Sequence, residues 1–224
     1  MAVTATAQGF VQTPAWLVDE MVAALFASRK PTADDVLVDP GCGNGDFIAG
    51  VLRFCKMTGL SLPKVFGIEL DRERYEETAI TFREEPRVTI LHDDFLKSKT
   101  LLKADFIIGN PPYVSLTNIA QDDRALFRRA FTSAQGRFDL YMLFFDRALQ
   151  LLNTDGILSY VTPEKWMYVK SAERLRALLA CQHIESLKFV AEDAFTGFVT
   201  YPLITQVLKS HVEGRTLVKR RDGQ

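Results

Sequence analysis

Short apolar runs alternate with amphipathic runs along most of the chain, and this alternation is the main structural signal in the sequence. Short apolar runs rich in β-branched residues predict strands, whereas apolar residues spaced three and four apart predict helices. The predicted strands are Val36 to Asp39, Val65 to Leu70, Val88 to Leu91, Ala104 to Ile108, Ile157 to Thr162, Ile184 to Val190 and Leu203 to Leu208. The predicted helices are Phe47 to Lys56, Arg72 to Phe82, Asp139 to Leu152 and Ser171 to Cys181. Strands that alternate with helices predict an α/β fold with a mostly parallel sheet and helices on both faces.

Composition narrows the class of protein. Hydrophobic residues make up 47% and charged residues 25% of the 224 residues, as in a soluble single-domain protein. The sequence shows no apolar run of membrane-spanning length and no secretory signal, so we expect a cytoplasmic protein without a membrane partner. The cysteines Cys42, Cys55 and Cys181 lack metal-ligand spacing, so no metal is expected, and their number fits a reducing compartment.

A glycine-rich turn follows the first predicted strand. Its sequence is Asp39-Pro40-Gly41-Cys42-Gly43-Asn44-Gly45. Glycines allow a tight turn and let a ligand approach the backbone closely. The spacing differs from that of dinucleotide sites, so on this segment alone a plain strand-to-helix turn stays open.

Acidic residues follow the second and third strands. Glu69, with Leu70 after it, could accept hydrogen bonds from two ribose hydroxyls, and Asp94 could accept one from an adenine amino group. Phe95 could pack on the base. Each site alone could be a helix cap or a turn. Because ligands bind at the carboxyl ends of parallel strands, three such strand ends together predict a pocket for an adenosine-containing ligand.

The fourth strand leads into Gly109-Asn110-Pro111-Pro112-Tyr113, the most specific motif in the chain. The two prolines fix an extended backbone, so the Pro111 carbonyl has no helix or sheet partner. The Asn110 side chain offers a second acceptor, and two acceptors can converge on one NH₂ group. Tyr113 can stack on a flat ring.

With these motifs in this order, the sequence resembles the N6-adenine DNA methyltransferases of the gamma order, which include the TaqI-like restriction-modification enzymes. Gln12-Thr13-Pro14 before an amphipathic helix, Asp139-Leu140-Tyr141, Thr162-Pro163 and the aromatic segment from Ala194 to Pro202 also fit that family. The resemblance implies a Rossmann-like class I methyltransferase fold. Its sheet would have seven mostly parallel strands, with an antiparallel last strand.

The resemblance also implies S-adenosylmethionine as the cofactor. The residues expected at its methionine end are Thr13, Asp39, Gly41 and Gly43. Glu69 beside Leu70 would hold the ribose, and Asp94 with Phe95 would hold the adenine. Asn110 would border the cofactor as well as the target.

The implied substrate is a duplex DNA whose target adenine is flipped out. Asn110 and Pro111 of the Asn110-Pro111-Pro112-Tyr113 motif would accept from its amine, and Tyr113 and Phe195 would sandwich its ring. Phe198 and Tyr201 are alternatives to Phe195. We expect residues 1–210 to form the catalytic domain and residues 211–224 to be a linker or tail. That tail would lead toward a target-recognition domain or specificity subunit outside this chain.

A net charge of −1 gives little general attraction for DNA, so any basic surface must be local. Candidates are Arg124, Arg128, Arg129, Arg137, Lys219, Arg220 and Arg221, which could equally be solvated surface. Three other activities use similar chemistry: methylation of protein glutamine, of RNA adenine and of cytosine N4. A non-catalytic cofactor-binding partner subunit is an alternative of another class, although both motifs are intact.

Overall fold

The chain folds around one central sheet. The computed structural model describes residues 12–99, 103–191, 195, 201–210 and 214–220. The strands of the described part are β1 Val36–Pro40, β2 Lys64–Glu69, β3 Val88–His92, β4 Ala104–Gly109, β5 Leu152–Pro163, β6 His183–Phe189, β7 Pro202–Leu208 and β8 Leu217–Lys219. Its α-helices are α1 Ala15–Ser28, α2 Asp46–Thr58, α3 Arg72–Thr81, α4 Gln121–Ala130, α5 Leu140–Leu151 and α6 Glu173–Ala180. Among these helices, none combines the length and the apolar character that a bilayer-spanning helix needs.

The strand order is β3-β2-β1-β4-β5-β7-β6-β8. Strands β3, β2, β1, β4 and β5 pair in parallel, whereas β7 is antiparallel to both β5 and β6. From β1 the sheet extends through β2 to β3 on one side. The chain then returns, and β4 pairs with the other edge of β1. The carboxyl ends of β1 and β4 therefore flank the topological switch point, where ligands bind in open α/β sheets.

The sheet separates two apolar cores. Leu37 of β1 packs with α1 and α2 on one face, and its neighbour Val38 packs with α5 and α6 on the other. Phe106 and Ile107 of β4 divide in the same way, as the alternation of side chains along a strand requires. Both faces are covered, so the central strands are mostly apolar, with Asp39 in β1 and Asp105 in β4 as exceptions. This explains why they show as continuous apolar runs in the sequence.

The α/β class, the helices on both faces and the antiparallel strand over Leu203 to Leu208 are confirmed. The predicted count of seven strands was wrong, since Leu217–Lys219 forms an eighth strand that pairs in parallel with β6. That strand lies within residues 211–224, the predicted linker or tail. Its side chains are all exposed, so no alternation of buried and exposed positions marked it.

The third glycine of the turn allows α2 and α3 to pack closely. Gly45 has φ +79°, and a Cβ there would collide with the Phe82 ring and lie 3.2 Å from Thr78 Cγ2. We expect Gly45→Ala to lower the free energy of unfolding by about 3 kcal/mol, because left-handed strain adds to overpacking. Urea unfolding measures this loss.

Gly59→Ala is the matched control for this substitution. Gly59 ends α2 with φ +69°, but no described atom lies within 4 Å of the place that a Cβ would occupy there. The free energy of unfolding of Gly59→Ala should therefore fall only by the strain contribution, about 1 kcal/mol. Equal losses for the two variants would contradict the close packing of Gly45 against α3.

Candidate functional site

A cavity of about 250 Å³ lies at the carboxyl ends of β1, β2, β3 and β4. Of the residues predicted for the cofactor and target, seven line it: Gly41, Glu69, Leu70, Asp94, Phe95, Asn110 and Pro112. Thr13, Asp39, Gly43, Pro111, Tyr113 and Phe195 are not part of the described lining. The three strand ends singled out in the sequence thus meet at one opening.

The glycine turn after β1 wraps around the end of β2. Gly41 and Gly43 have φ values of +80° and +54°, a region that favours glycine. The amides of Gly41 and Cys42 both donate to the Ile68 carbonyl, at 2.7 and 3.0 Å. The turn is therefore fixed by the backbone of the neighbouring strand, with Gly41 facing the cavity.

Glu69 connects this turn to the start of α3. Its Oε2 accepts from the Gly43 amide and its Oε1 from the Asp71 amide, both at 2.8 Å. Arg74 Nε lies 3.6 Å from Oε1. The side chain is 5% exposed, yet it lines the cavity. Since each carboxylate oxygen can accept more than one hydrogen bond, Glu69 retains capacity for two ribose hydroxyls.

The third strand end supplies a carboxylate and an apolar surface. Asp94 Oδ1 accepts from the Leu96 amide at 2.9 Å, which fixes the carboxylate at the cavity wall. Phe95 is 4% exposed and contacts Phe144 of α5 with ring centroids 5.1 Å apart. Both rings line the cavity, so the base of an adenosine would meet an apolar surface beside a hydrogen-bond acceptor.

Asp39 is a buried residue near the carboxyl end of β1. Neither of its carboxylate oxygens has a hydrogen-bond partner among the described residues. A Cβ at Gly109 would lie 2.9 Å from Asp39 Oδ1, so the glycine before Asn110 lets the carboxyl group lie against β4. Burial, and then the carboxylates of Glu69 and Asp46, raise the pKa of Asp39 well above its usual range. Such a carboxyl group becomes ionised when a cation approaches, and an ammonium group would serve.

The charge of the cavity selects against phosphates. The described lining carries five carboxylate side chains, Glu69, Asp71, Asp93, Asp94 and Asp123, against two cationic ones, Arg74 and Lys97. A negative potential disfavours dinucleotides and nucleoside triphosphates and favours an adenosine whose other end is cationic. The residues present therefore fit S-adenosylmethionine, which has no phosphate and whose sulfonium, ammonium and carboxylate groups sum to a net positive charge.

Asn110 contacts a residue far from it in the sequence. Its Nδ2 donates to Thr13 Oγ1 at 3.2 Å, and Thr13 is 5% exposed just before α1. In this orientation the nitrogen end of the amide faces Thr13, and Oδ1 is the acceptor end. Pro111 is buried and Pro112 lines the cavity, so the motif passes directly along the cavity wall.

The two aromatic residues predicted to sandwich a base are Tyr113 and Phe195, and both lie outside the described lining of the cavity. Tyr113 is partly buried, its hydroxyl donates to the Val161 carbonyl at 3.4 Å, and burial raises its pKa. Phe195 is 2% exposed and belongs to the apolar cluster against which Tyr113 also packs. Tyr201 is 43% exposed, and Phe198 lies outside the described residues. The stacking role of Phe195 stays a prediction.

One wall of the cavity was missed in the sequence. Ile119, Asp123 and Phe127, from the segment that contains α4, line it together with Lys97. In α4 only Phe127 is buried, so the helix lacks the apolar stripe that reveals most helices. Phe144 lies on a predicted helix, but no motif distinguished it from other core residues.

Solved structures of similar shape share this fold. One is a putative class I S-adenosylmethionine-dependent methyltransferase from Listeria monocytogenes, with TM-score 0.77 and 16% identity, covering 99% of this chain and 68% of that one. Another is the methyltransferase subunit of a type I restriction-modification system from Streptococcus thermophilus, with TM-score 0.76 and 16% identity, covering 95% and 48%. The fold is that of the class I S-adenosylmethionine-dependent methyltransferases.

Residues 64–195 match the family described as Eco57I restriction-modification methylase, and the chain belongs to this family. S-Adenosylmethionine is therefore the expected cofactor. The chain is 26% identical to the Type II methyltransferase M.PaeR7I of Pseudomonas aeruginosa, covering 96% of this chain and 42% of that protein. It is 30% identical to the modification methylase CviBIII of Paramecium bursaria Chlorella virus NC1A, covering 84% and 46%. The chain thus spans about half the length of these relatives.

Proposed function

We propose that this chain is a catalytic module that methylates the N6 amino group of a flipped-out adenine in DNA, using S-adenosylmethionine. The observation that supports this most directly is the position of Asn110. Its amide is held by Thr13 beside a cavity that fits an adenosine, and the Pro111 carbonyl adjoins it. Two acceptors next to a cofactor site are what transfer to an amine requires.

The two acceptors act on the nucleophile. The lone pair of an aromatic amine is delocalised into the ring, so the nitrogen is a poor nucleophile. When Asn110 Oδ1 and the Pro111 carbonyl accept from its two N–H groups, they favour a pyramidal nitrogen and localise the lone pair. The rigid Pro111-Pro112 backbone holds these acceptors in place, so little reorganisation is needed.

The bound cofactor supplies a methyl group already activated by its positively charged sulfur. Glu69 and Asp94 line the cavity and would hold its ribose and adenine. Asp39, buried outside the described lining, would help to shape the methionine end. Tyr113 would stack on the extruded base, with Phe195 proposed as the second aromatic. Flipping the base costs a few kcal/mol, roughly what stacking on one or two rings returns.

We propose that a domain or partner subunit beyond this module recognises the target sequence. The curated relatives are about twice as long as the aligned chain, which covers 42% and 46% of two of them. Reading a sequence requires side chains placed against base edges in a groove. The negative cavity and a net charge of −1 offer a duplex little attraction.

Isotope-resolved mass spectrometry tests the proposal. The chain is incubated with duplex DNA and S-adenosylmethionine bearing a deuterated methyl group, and the nucleosides are then separated after digestion. Deuterated N6-methyldeoxyadenosine is expected. A label in N4-methyldeoxycytidine, or in RNA or protein glutamine when either is supplied in place of the duplex, would identify one of the other activities.

Thr13 offers a test of how Asn110 is oriented. We expect Thr13→Val to lower kcat about tenfold, because the Asn110 amide loses the acceptor that fixes its rotation. Thr13→Ser retains the hydroxyl and should stay within about twofold of the wild type. Steady-state kinetics at saturating cofactor measures both variants. Equal losses in the valine and serine variants would show that packing, and not this hydrogen bond, is what matters.

A further inference from the structure

The cavity wall that contains α4 belongs to an excursion of the chain between the catalytic motif and α5. Ser115 and Asp139 form an isolated antiparallel β-bridge at its base. Next to it, the Leu140 amide donates to the Val114 carbonyl at 2.8 Å. Between these points the chain forms α4 and returns. Residues 115–139, called here the α4 excursion, therefore leave and rejoin the domain at one place and form one side of the cavity.

A single ammonium group connects this excursion to the opposite wall. Lys97 Nζ lies 2.7 Å from Asp123 Oδ1 on α4 and 3.5 Å from Asp94 Oδ2 on the β3 side. It also lies 6.0 Å from the centre of the Phe127 ring. All four residues line the cavity. Lys97 is thus the link between the carboxylate at the predicted adenine end and the helix that faces it.

The surroundings of the two carboxylates favour their contacts with the Lys97 ammonium group. Asp123 lies in the first turn of α4, where the helix dipole already favours a negative side chain. Asp94 has one oxygen held by the Leu96 amide, so Lys97 governs the other oxygen. Burial lowers the pKa of Lys97, but Asp123 and Asp94 outweigh it, so the net shift is upward and the ammonium charge is retained.

We propose that Lys97 is a positioning residue for the cofactor. The ammonium group of Lys97 contacts Asp94 at the predicted adenine end and Asp123 on α4. One side chain thus fixes the position of both cavity walls. Without it, two carboxylates repel each other across the cavity and α4 is no longer drawn toward β3. The inference rests on the proposed function, because it assigns Lys97 to the site that would hold S-adenosylmethionine.

Calorimetry with S-adenosylhomocysteine tests this link without turnover. We expect Lys97→Met to weaken binding about fivefold at low salt, a modest loss because the ammonium group is partly solvated. Lys97→Arg keeps a cation and should stay within about twofold. Asp123→Asn removes the same link from the other wall and should also weaken binding. Since charges are screened by salt, the difference between Lys97→Met and the wild type should shrink at about 1 M NaCl.

Kinetics separates positioning from a general structural role. KM for S-adenosylmethionine should rise with Lys97→Met, and kcat at saturating cofactor should stay within about twofold, since Lys97 acts on cofactor binding only. Matched controls are Lys99→Met, two residues away, and Asp122→Asn, beside Asp123; neither residue lines the cavity as described. Both should bind like the wild type.

Three outcomes would overturn the inference. Unchanged affinity in Lys97→Met, while the wild type binds S-adenosylhomocysteine, would remove Lys97 from the site and leave the proposed function intact. A loss that is independent of salt and is not restored by arginine would assign Lys97 a packing role. If the wild type binds neither S-adenosylmethionine nor S-adenosylhomocysteine, the proposed function fails as well.

Discussion

Asn110→Ala is expected to lower kcat about a thousandfold while the Kd for S-adenosylhomocysteine stays within about threefold. The loss is concentrated in turnover because the hydrogen bond from the target amine strengthens as the nitrogen gains positive charge during methyl transfer. An acceptor that acts mainly in the transition state contributes little to ground-state binding. Single-turnover methylation of a duplex measures the first quantity, and calorimetry measures the second.

Gln121→Ala provides the control for this experiment. It truncates an exposed amide at the start of α4, outside the described lining of the cavity, and should leave both constants unchanged. Near-normal turnover in a folded Asn110→Ala variant would contradict the role of Asn110. A cofactor affinity that collapses together with turnover would instead identify Asn110 as part of the cofactor site alone.

The sheet could be predicted because its signals are local. Central strands covered on both faces are apolar along most of their length, so Phe106 and Ile107 marked β4 without any tertiary information. The parallel arrangement then brings the carboxyl ends of β1, β2, β3 and β4 together. Glu69, Asp94 and Asn110 could therefore be assigned to one opening from their positions after strands.

The contacts that refine the site could not be predicted in this way. Thr13 and Asn110 are 97 residues apart, and no spacing rule links an N-terminal threonine to a particular amide. The bridging position of Lys97 depends on α4, which has a single buried residue and so gives no periodic signal. The eighth strand gives no periodic signal either, because its side chains are all exposed. A helix or strand that buries few side chains depends on contacts with neighbouring segments, and its own sequence does not reveal those contacts.

The pairing of Glu69 with two backbone amides also could not be predicted, and it changes how a mutation there should be interpreted. The carboxylate holds the Gly43 and Asp71 amides, so its removal both deletes the proposed ribose ligand and loosens the glycine turn. A loss of affinity in Glu69→Ala alone would not separate these two effects. The substitution therefore needs an isosteric partner.

Glu69→Ala is expected to weaken binding of S-adenosylhomocysteine about a hundredfold, because two charge-assisted hydrogen bonds to the ribose are lost. Calorimetry at neutral pH measures this affinity. Glu69→Gln keeps one acceptor oxygen and the shape of the side chain, but its amide nitrogen meets a backbone N–H that needs an acceptor. Its affinity should fall between the wild type and the alanine variant, about tenfold below the wild type.

Glu73→Ala is the control, since this glutamate lies in the first turn of α3 but outside the described lining of the cavity. It should bind S-adenosylhomocysteine like the wild type. Comparison with the 2′-deoxyribose analogue then isolates the ribose contact, because a ligand that lacks one hydroxyl has less to lose at Glu69. The hundredfold effect should shrink to about tenfold with that analogue. If Glu69→Ala weakens both ligands equally, Glu69 acts only by holding the glycine turn, and the ribose must be bound by other residues.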